Sequence, residues 1–338
     1  MSYIILLRSV VYTSMPLGIV LNAFLFHVVW KKADKNSGVN LISQSISIGS
    51  IMYCISTMVF VPCYFSAPAM LVFIPASPLV HVYWLMQFFM YMWVFMVIVN
   101  LILVLISFIY RWALIARPRV GIFMDRYKII PFLSSTYSLA LFVNVVLLFN
   151  SPQQIRGEMK EMFASDLSDF DFSTDFFWGI GTDYFVVATL IVTVLGVMGM
   201  LFVAFIAAMV CGYRIHRTIK TRQFSTRTKI AHGKTLRLLI MQILTPVFLV
   251  FIPAMFNLSA ALGRFSIGEL PKILVFGFIL FPLANPLVII GFTDSYRRFV
   301  LRQATSSSVK PTASMLPSGL VTTNDGRSKR STEASHVC

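Results

Sequence analysis

Residues 80–110 read VHVYWLMQFFMYMWVFMVIVNLILVLISFIY and contain no lysine, arginine, aspartate or glutamate. A helix needs roughly 20 apolar residues to cross a hydrocarbon layer about 30 Å thick, so this run is long enough to cross one. A helix also satisfies its own backbone hydrogen bonds, which a water-free layer requires. The run ends at Arg111, whose role depends on what the run spans.

The remainder of the chain has the same apolar character. Of its 338 residues 57% are hydrophobic and only 12% are charged, and the mean hydropathy is +0.80. Soluble domains carry about twice that share of charged residues. The composition predicts an all-α membrane protein, a seven-transmembrane helix bundle, with helices at about 9–30, 40–65, 80–110, 129–149, 184–212, 238–262 and 272–293.

Four prolines divide the charge-free stretch that separates Lys35 from Arg111. They lie in FVPCYFSAPAMLVFIPASP, residues 60–78, which cannot continue as one helix. The segment predicts the end of the second span followed by a short outer loop. A re-entrant segment at 70–76 is the alternative.

Lysine and arginine are unevenly distributed between the loops. Segments 31–40, 111–128 and 214–237 and the residues after 293 hold 23 of the 28 basic residues. Basic loops remain in the cytoplasm. We therefore expect the amino terminus outside and the carboxyl terminus in the cytoplasm. The net charge of +15 is then mostly a topogenic signal, and no nucleic-acid partner is expected.

The end of the chain differs in composition from the rest. The predicted transmembrane domain covers residues 1–303 and closes with a short amphipathic helix at 294–303. In segment 304–338, 13 of 35 residues are serine or threonine, and apolar residues are too few to pack. We expect a disordered cytoplasmic tail there.

The seven runs contain almost no ionisable residues. Proton relays and ion sites need such groups at mid-membrane depth. The chain also lacks an HExxH motif and a matching pair of interrupted helices. No enzyme activity, ion-coupled transport, metal or cofactor is therefore expected. The polar residues in the runs are amides, whose simplest role is hydrogen bonding between helices: Asn22, Gln87, Asn100, Asn144, Gln242, Asn257 and Asn285.

Arg111 lies at the predicted cytoplasmic end of the third helix. One interpretation is an arginine whose charge reaches the lipid headgroups. Its neighbours offer another, since Tyr110-Arg111-Trp112 ends the third of seven helices and Pro118 follows seven residues after the arginine. Residues 105–119 resemble the arginine motif of G-protein-coupled receptors. They look most like the FxYRY-type motif of the nematode seven-helix chemosensory receptors of the Str and Srd families.

The seventh helix supports this resemblance, which then covers nearly all of residues 5–303. Asn285 and Pro286 match the receptor pattern Asn-Pro-x-x-Tyr, although position 289 is isoleucine. After the helix, Tyr296 and Arg297 resemble the aromatic-arginine ending of nematode receptors.

The sixth helix is also similar to that of these receptors. Gln242 and Pro246 match a Gln-x-x-x-Pro pattern, and Phe251 with Pro253 resembles an aromatic-x-Pro hinge. Prolines remove backbone hydrogen bonds, so the helix has two candidate bending points. Simple packing curvature is the alternative for each.

Three features depart from the pattern of rhodopsin-like receptors. Tyr110 stands where an acid usually precedes the arginine, the second helix has no aspartate, and loop 150–183 has no cysteine for a disulfide. These departures fit a divergent chemoreceptor better than a hormone or amine receptor.

The resemblance implies a chemosensory receptor in the plasma membrane, including that of a sensory cilium. Such a receptor binds a small external chemical, odorant-like or pheromone-like, and activates a heterotrimeric G protein through Arg111 and the basic loops 111–128 and 214–237. The residues alone leave open a facilitator or channel-type protein in which Asn100 and Asn257 line a path. The basic loop 214–237 equally suits anionic lipid or an acidic protein surface.

A ligand pocket in such a bundle would open between helices 3, 5, 6 and 7. The spacing i, i+3, i+4, i+7 places four polar or aromatic residues on one face of the third helix. An interfacial aromatic belt is the alternative for Trp84 and Tyr91. No acid in the runs can pair with an amine, so we expect a neutral or hydrophobic ligand. The pocket candidates are Trp84, Gln87, Phe88, Tyr91, Phe251 and Asn257.

The predicted outer loop 157–183 is acidic and aromatic. Residues 166–179 read DLSDFDFSTDFFWG. A solvated loop is the simplest interpretation. A vestibule that attracts cations, or a weak metal site, is the alternative.

Overall fold

The structure is a computed structural model. It describes residues 2–32, 38–67, 70–116, 126–149, 176–180, 225–263, 270–293 and 297, with separate positions between 199 and 221. All of these belong to one structural unit, Met1–Arg298. The expected tail 304–338, most of the fifth run and the acidic residues of loop 157–183 lie outside the described residues.

The described helices overlap six of the seven predicted runs, all but 184–212. In the first half of the chain α1 is Ser2–Lys32, α2 is Gly38–Phe60, α3 is Tyr83–Ala116 and α4 is Arg126–Phe149. In the second half α5 is Thr226–Pro246, a π segment is Val247–Phe251, α6 is Ile252–Gly263 and α7 is Leu270–Phe292.

Five stretches of the described helices are long and apolar enough to cross a membrane. They follow from uninterrupted apolar composition, because a helix is the structure that buries every backbone polar group of such a run. The stretches are Tyr3–Lys31, Asn40–Phe60, Tyr83–Ser107, Gly233–Asn257 and Lys272–Phe292.

A β-hairpin follows α2, where the sequence predicted the end of a helix and a loop. Strand β1 (Pro62–Ala67) pairs antiparallel with β2 (Met70–Pro75), and β3 (Trp178–Ile180) pairs antiparallel with β2. The predicted second span was therefore too long at its carboxyl end. Helix α2 stops at Phe60 because Val61 takes a φ of 47°, outside the helical region, and Pro62 cannot donate to the helix.

The hairpin packs into the helical bundle. Buried residues of both strands share one apolar cluster with α1, α2, α3, the π segment and α7. The hairpin lies where α2 ends and α3 and α7 begin, and we call this the hairpin end of the bundle. Its strand residues in the cluster are Cys63, Tyr64, Phe65, Val72 and Ile74.

Small residues bring α2 close to α3. A methyl group on Gly49 would lie 3.0 Å from Oδ1 of Asn100. The hydroxyl of Ser50 donates to the same oxygen at 3.4 Å, and Nδ2 of Asn100 donates to the carbonyl of Met96 at 2.9 Å. Small residues with a shared buried amide are a common way to join membrane helices. Asn100 thus makes a contact between helices.

Candidate functional site

Two prolines in α7 release two backbone carbonyls from the helix. A helical N–H bonds the carbonyl four residues earlier, and proline has no N–H. Pro286 therefore leaves the carbonyl of Pro282 without its helical donor. Nδ2 of Asn22 in α1 donates to that oxygen at 2.9 Å, and also to the carbonyl of Gly18 at 2.8 Å. Asn22 thus replaces the hydrogen bond that Pro286 removes.

The second released carbonyl is bonded in the same manner. Pro282 leaves the carbonyl of Phe278 without its helical donor. The hydroxyl of Tyr53 in α2 donates to that oxygen at 2.8 Å. Because unsatisfied carbonyls are costly in an apolar interior, these two bonds connect α1 and α2 to the middle of α7.

The predicted motif of the seventh helix lies next to these bonds. Asn285 and Pro286 are both buried. Ile289, which stands where the receptor pattern has tyrosine, packs with Leu25 and Val29 of α1 and with Leu238 of α5. An apolar contact therefore joins three helices at this position.

The helix before α7 is interrupted in another way. After Pro246 the backbone forms the π segment, in which the N–H of Ile252 bonds the carbonyl of Val247, five residues earlier. This widened turn approaches α7 closely, because a methyl group on Gly277 would overlap the carbonyl oxygen of Leu249. Glycine is thus required sterically where the two helices touch. Pro253, the other predicted bending point, is buried in α6.

Two buried amides near this interruption have polar atoms that no described residue bonds. Both side-chain polar atoms of Asn257 in α6, and Oε1 of Gln242 in α5, have no hydrogen-bond partner among the described residues. Asn257 is 2% exposed, and α6 contacts both hairpin strands. An unbonded buried amide destabilises the fold unless something else binds it.

The opposite end of the bundle contains the Tyr110-Arg111-Trp112 triplet. Helix α3 continues to Ala116, so Arg111 lies inside its last two turns and the predicted end at 110 was too early. Tyr110 is 4% exposed and packs with Ile42 and Ile46 of α2 and Leu133 of α4. The side chains of Arg111 and Trp112 lie outside the described residues.

A family model for serpentine type seven-transmembrane GPCR chemoreceptors of the Str family matches residues 7–301. The chain belongs to the Str family. The suspected resemblance is confirmed, and so are the all-α bundle, the membrane location and the receptor class that it implied. Str proteins are receptors and not enzymes. A comparison with curated proteins gave no match.

The predicted ligand face of this Str receptor is divided between exposed and partly buried residues. Trp84 is 69% and Phe88 is 53% exposed, whereas Gln87 and Tyr91 are partly buried. Exposed rings near a helix end are typical of an interfacial belt. The exposure of Trp84 favours the belt for that residue, and a pocket role for the four residues stays a prediction. Phe251, the last residue of the π segment, is partly buried.

The hairpin end also has a polar connection between α1, β1 and α7. The hydroxyl of Tyr3 donates to the carbonyl of Lys272 at 2.9 Å, and Nζ of Lys272 lies 5.5 Å from the Phe65 ring centroid. Burial raises the pKa of the nearby Cys63 thiol to about 12. A neutral buried thiol is a poor nucleophile and metal ligand. The described residues contain no cluster of metal-binding side chains.

The last part of the predicted acidic loop is described and packs on the bundle. Phe176 and Phe177 are buried, and the Phe176 ring lies 5.2 Å from Tyr83 and 6.4 Å from Phe60. The four aspartates that suggested a cation vestibule lie outside the described residues. Tyr296 also lies outside the described residues. Arg297 is exposed, and its backbone N–H donates to the carbonyl of Thr293 at 3.0 Å.

Sequence reasoning did not single out Tyr53, Trp93, Phe278 or Pro282. The prolines do reveal which carbonyls are released, since each lies four residues before a proline. Which side chain bonds them depends on the packing of other helices, and a single sequence does not show that.

Proposed function

We propose that this Str receptor binds a small external chemical near the hairpin end and activates a heterotrimeric G protein at the opposite end. In this proposal the amino terminus is outside, the tail is cytoplasmic, and the protein resides in the plasma membrane, including that of a sensory cilium. The observation that carries the proposal is the contact between two interrupted helices, at Gly277 of α7 and Leu249 of the π segment.

This contact supports signalling because interrupted helices have alternative arrangements. Pro246 with the π segment, and Pro282 with Pro286, place missing hydrogen bonds midway along neighbouring helices. A ligand that prefers one arrangement shifts the population toward it. The direct backbone contact passes a movement of one helix to the other.

The residues near the π segment support a neutral ligand. The seven apolar runs contain no aspartate or glutamate that would pair with an amine. Asn257 presents a buried amide donor and acceptor that no described residue uses. A small, mostly apolar molecule with one carbonyl or hydroxyl group fits these side chains.

The burial of Tyr110 supports the effector side of the proposal. A tyrosine fixed among α2, α3 and α4 holds the backbone of the next residue, Arg111, in a defined position. Position 110 is tyrosine rather than an acid, so residue 110 cannot hold Arg111 by a salt bridge in the resting state. We therefore expect measurable basal activity.

The proposal is tested by ligand-evoked nucleotide exchange on a co-expressed G protein. Exchange that depends on both the receptor and the ligand supports it. Substrate flux through proteoliposomes without G protein, together with absent nucleotide exchange, would favour the facilitator instead.

The arginine provides a sharper test. We expect Arg111→Ala to reach the surface and bind ligand within a few-fold of wild type but to lose most nucleotide exchange, because the guanidinium serves the coupled state. If a planar guanidinium is required, Arg111→Lys should recover little of the nucleotide exchange that Arg111→Ala loses. If only a positive charge is required, it should recover all of it. Lys31→Ala, an exposed basic residue at the same end of the bundle, is the control and should signal normally. Normal signalling by Arg111→Ala would leave the arginine as a lipid anchor.

A further inference from the structure

Three elements contact Phe278 of α7. Its ring lies 5.9 Å from the ring of Tyr64 in β1, nearly parallel at 17°, and 5.9 Å from Trp93 in α3. Its backbone carbonyl accepts the hydroxyl of Tyr53 from α2. The hairpin and two helices therefore meet α7 at one residue, four positions before Pro282.

The hydroxyl of Tyr53 is held in place for this carbonyl. The Tyr53 ring stacks on Trp93 at 6.1 Å and 29°, and Tyr53 and Phe278 are 1% and 5% exposed. Water therefore has little access to the oxygen, and Pro282 denies it a helical donor. Tyr53 is its hydrogen-bond donor, and without that hydroxyl α7 has an unsatisfied carbonyl beside two prolines.

The hairpin is coupled to the same point through rings. The ring centroids of Tyr64 and Phe73 of β2 are 4.0 Å apart, and those of Phe73 and Trp93 are 6.1 Å apart. Rings at these separations attract one another beyond their apolar burial. A displacement of the hairpin consequently moves the rings that position both Phe278 and Tyr53.

We propose that Tyr53 is a positioning residue that holds α7 in its resting arrangement, and that Tyr64 couples the hairpin to that hold. Displacing the hairpin moves Tyr64 off Phe278, the bond from Tyr53 to the carbonyl is lost, and α7 bends at Pro282. The signalling consequence rests on the proposed receptor function. The restraint on α7 by the hydrogen bond from Tyr53 to the Phe278 carbonyl, which we call the hold, is a property of the fold.

The hold is tested by hydrogen exchange of the purified receptor with a double-mutant cycle. Tyr53→Phe keeps the ring and removes the hydroxyl, whereas Pro282→Ala returns a helical N–H to the Phe278 carbonyl. We expect Tyr53→Phe to accelerate amide exchange across residues 274–285 about tenfold. In the Pro282→Ala background the same change should have little effect, because the carbonyl already has a donor.

Matched controls separate this effect from general loosening. Tyr12→Phe removes a hydroxyl from an exposed tyrosine of α1 and should exchange like wild type. Tyr64→Ala should accelerate exchange in the same segment several-fold, whereas Phe142→Ala, which removes an exposed ring of α4, should not. The proposal would be overturned if residues 274–285 of Tyr53→Phe exchanged at the wild-type rate. It would also be overturned if Tyr53→Phe accelerated exchange equally in the Pro282→Ala background.

Signalling distinguishes this proposal from the receptor function on which it rests. At matched surface levels we expect Tyr53→Phe to raise basal nucleotide exchange several-fold. If wild type shows no ligand-evoked nucleotide exchange while Tyr53→Phe still loosens residues 274–285, the receptor function is wrong and the hold stands. If wild type signals and Tyr53→Phe signals identically at rest and with ligand, Tyr53 does not restrain the arrangement of α7 that signals, and that part of the proposal is overturned.

Discussion

Helix α7 and the α5–α6 region both contain mid-helix prolines, yet they compensate for the lost hydrogen bonds differently. In α7, side chains from other helices bond the released carbonyls, Asn22 that of Pro282 and Tyr53 that of Phe278. In α5–α6 the backbone itself changes to a π segment after Pro246.

The difference shows which helix is anchored. Bonds from α1 and α2 tie the middle of α7 to the rest of the bundle, and breaking them exposes a carbonyl to an apolar interior. In the π segment the N–H of Ile252 bonds the carbonyl of Val247 within the same helix. The amides near it, Gln242 and Asn257, retain unbonded atoms among the described residues. The α5–α6 region is therefore the better candidate for ligand-dependent movement, with α7 as the element it moves against.

The largest effect is expected where the two regions touch. Gly277→Ala gains up to about 1 kcal/mol of helix propensity, but its methyl group meets the backbone carbonyl of Leu249, and overpacking of this kind costs about 1–3 kcal/mol. Backbone yields less than a side chain, so we expect net destabilisation, with lower surface expression and a lower melting temperature in detergent.

Gly291→Ala is the matched control for this change. Gly291 lies in the same helix, and no described residue lies within 4 Å of the position that a methyl group would take, so alanine should leave stability unchanged or raise it. Equal melting temperatures for the two alanine variants would show that the close contact at Gly277 is not required.

The second-largest loss of stability is expected where α1 is bonded to α7. Asn22→Leu keeps the side-chain size and removes the donor to the Pro282 carbonyl. Hydrogen bonds between membrane helices contribute about 0.6 kcal/mol on average and up to about 1.7 kcal/mol. We expect the upper end here, because Pro286 leaves the carbonyl no helical alternative.

Thermal unfolding with and without Pro286→Ala tests this explanation. The second change returns a backbone donor, so it should remove most of the loss caused by Asn22→Leu. A loss that is independent of Pro286 would mean that Asn22 acts through packing alone.

Much of the bundle was predictable from the sequence because hydropathy acts over 20 residues or more. Runs such as 80–110 and 272–293 have no other stable state in a bilayer. The hairpin was missed because CYFSA and MLVFI are short apolar runs, for which periodicity does not separate a strand from the end of a helix. Pro62 and Pro75 lie at strand ends, where proline is tolerated, so they indicated a break without indicating a sheet.

The candidate site was predicted less completely. The sequence identified Pro246, Pro253 and Pro286 but not Pro282, although each acts through its own missing N–H. It did not identify the π segment or the role of Tyr53, because a register change and a bond between distant helices are properties of packing. Asn22 and Asn257 look alike in the sequence, as amides in apolar runs. In the structure one is bonded to α7 and the other has no partner among the described residues.

The smallest effect on stability, and the clearest separation of the two regions, is expected for Asn257→Leu. The amide has no partner among the described residues and is 2% exposed, so replacing it with an apolar group of similar size removes a desolvation cost without breaking a bond. The melting temperature should stay the same or rise slightly, opposite to Asn22→Leu. If the amide instead binds ligand, the ligand concentration that gives half-maximal nucleotide exchange should rise about tenfold, the cost of one lost hydrogen bond to a buried group. Unchanged potency would remove Asn257 from the ligand site, and a clear fall in melting temperature would show that the amide supports the fold, as Asn22 does.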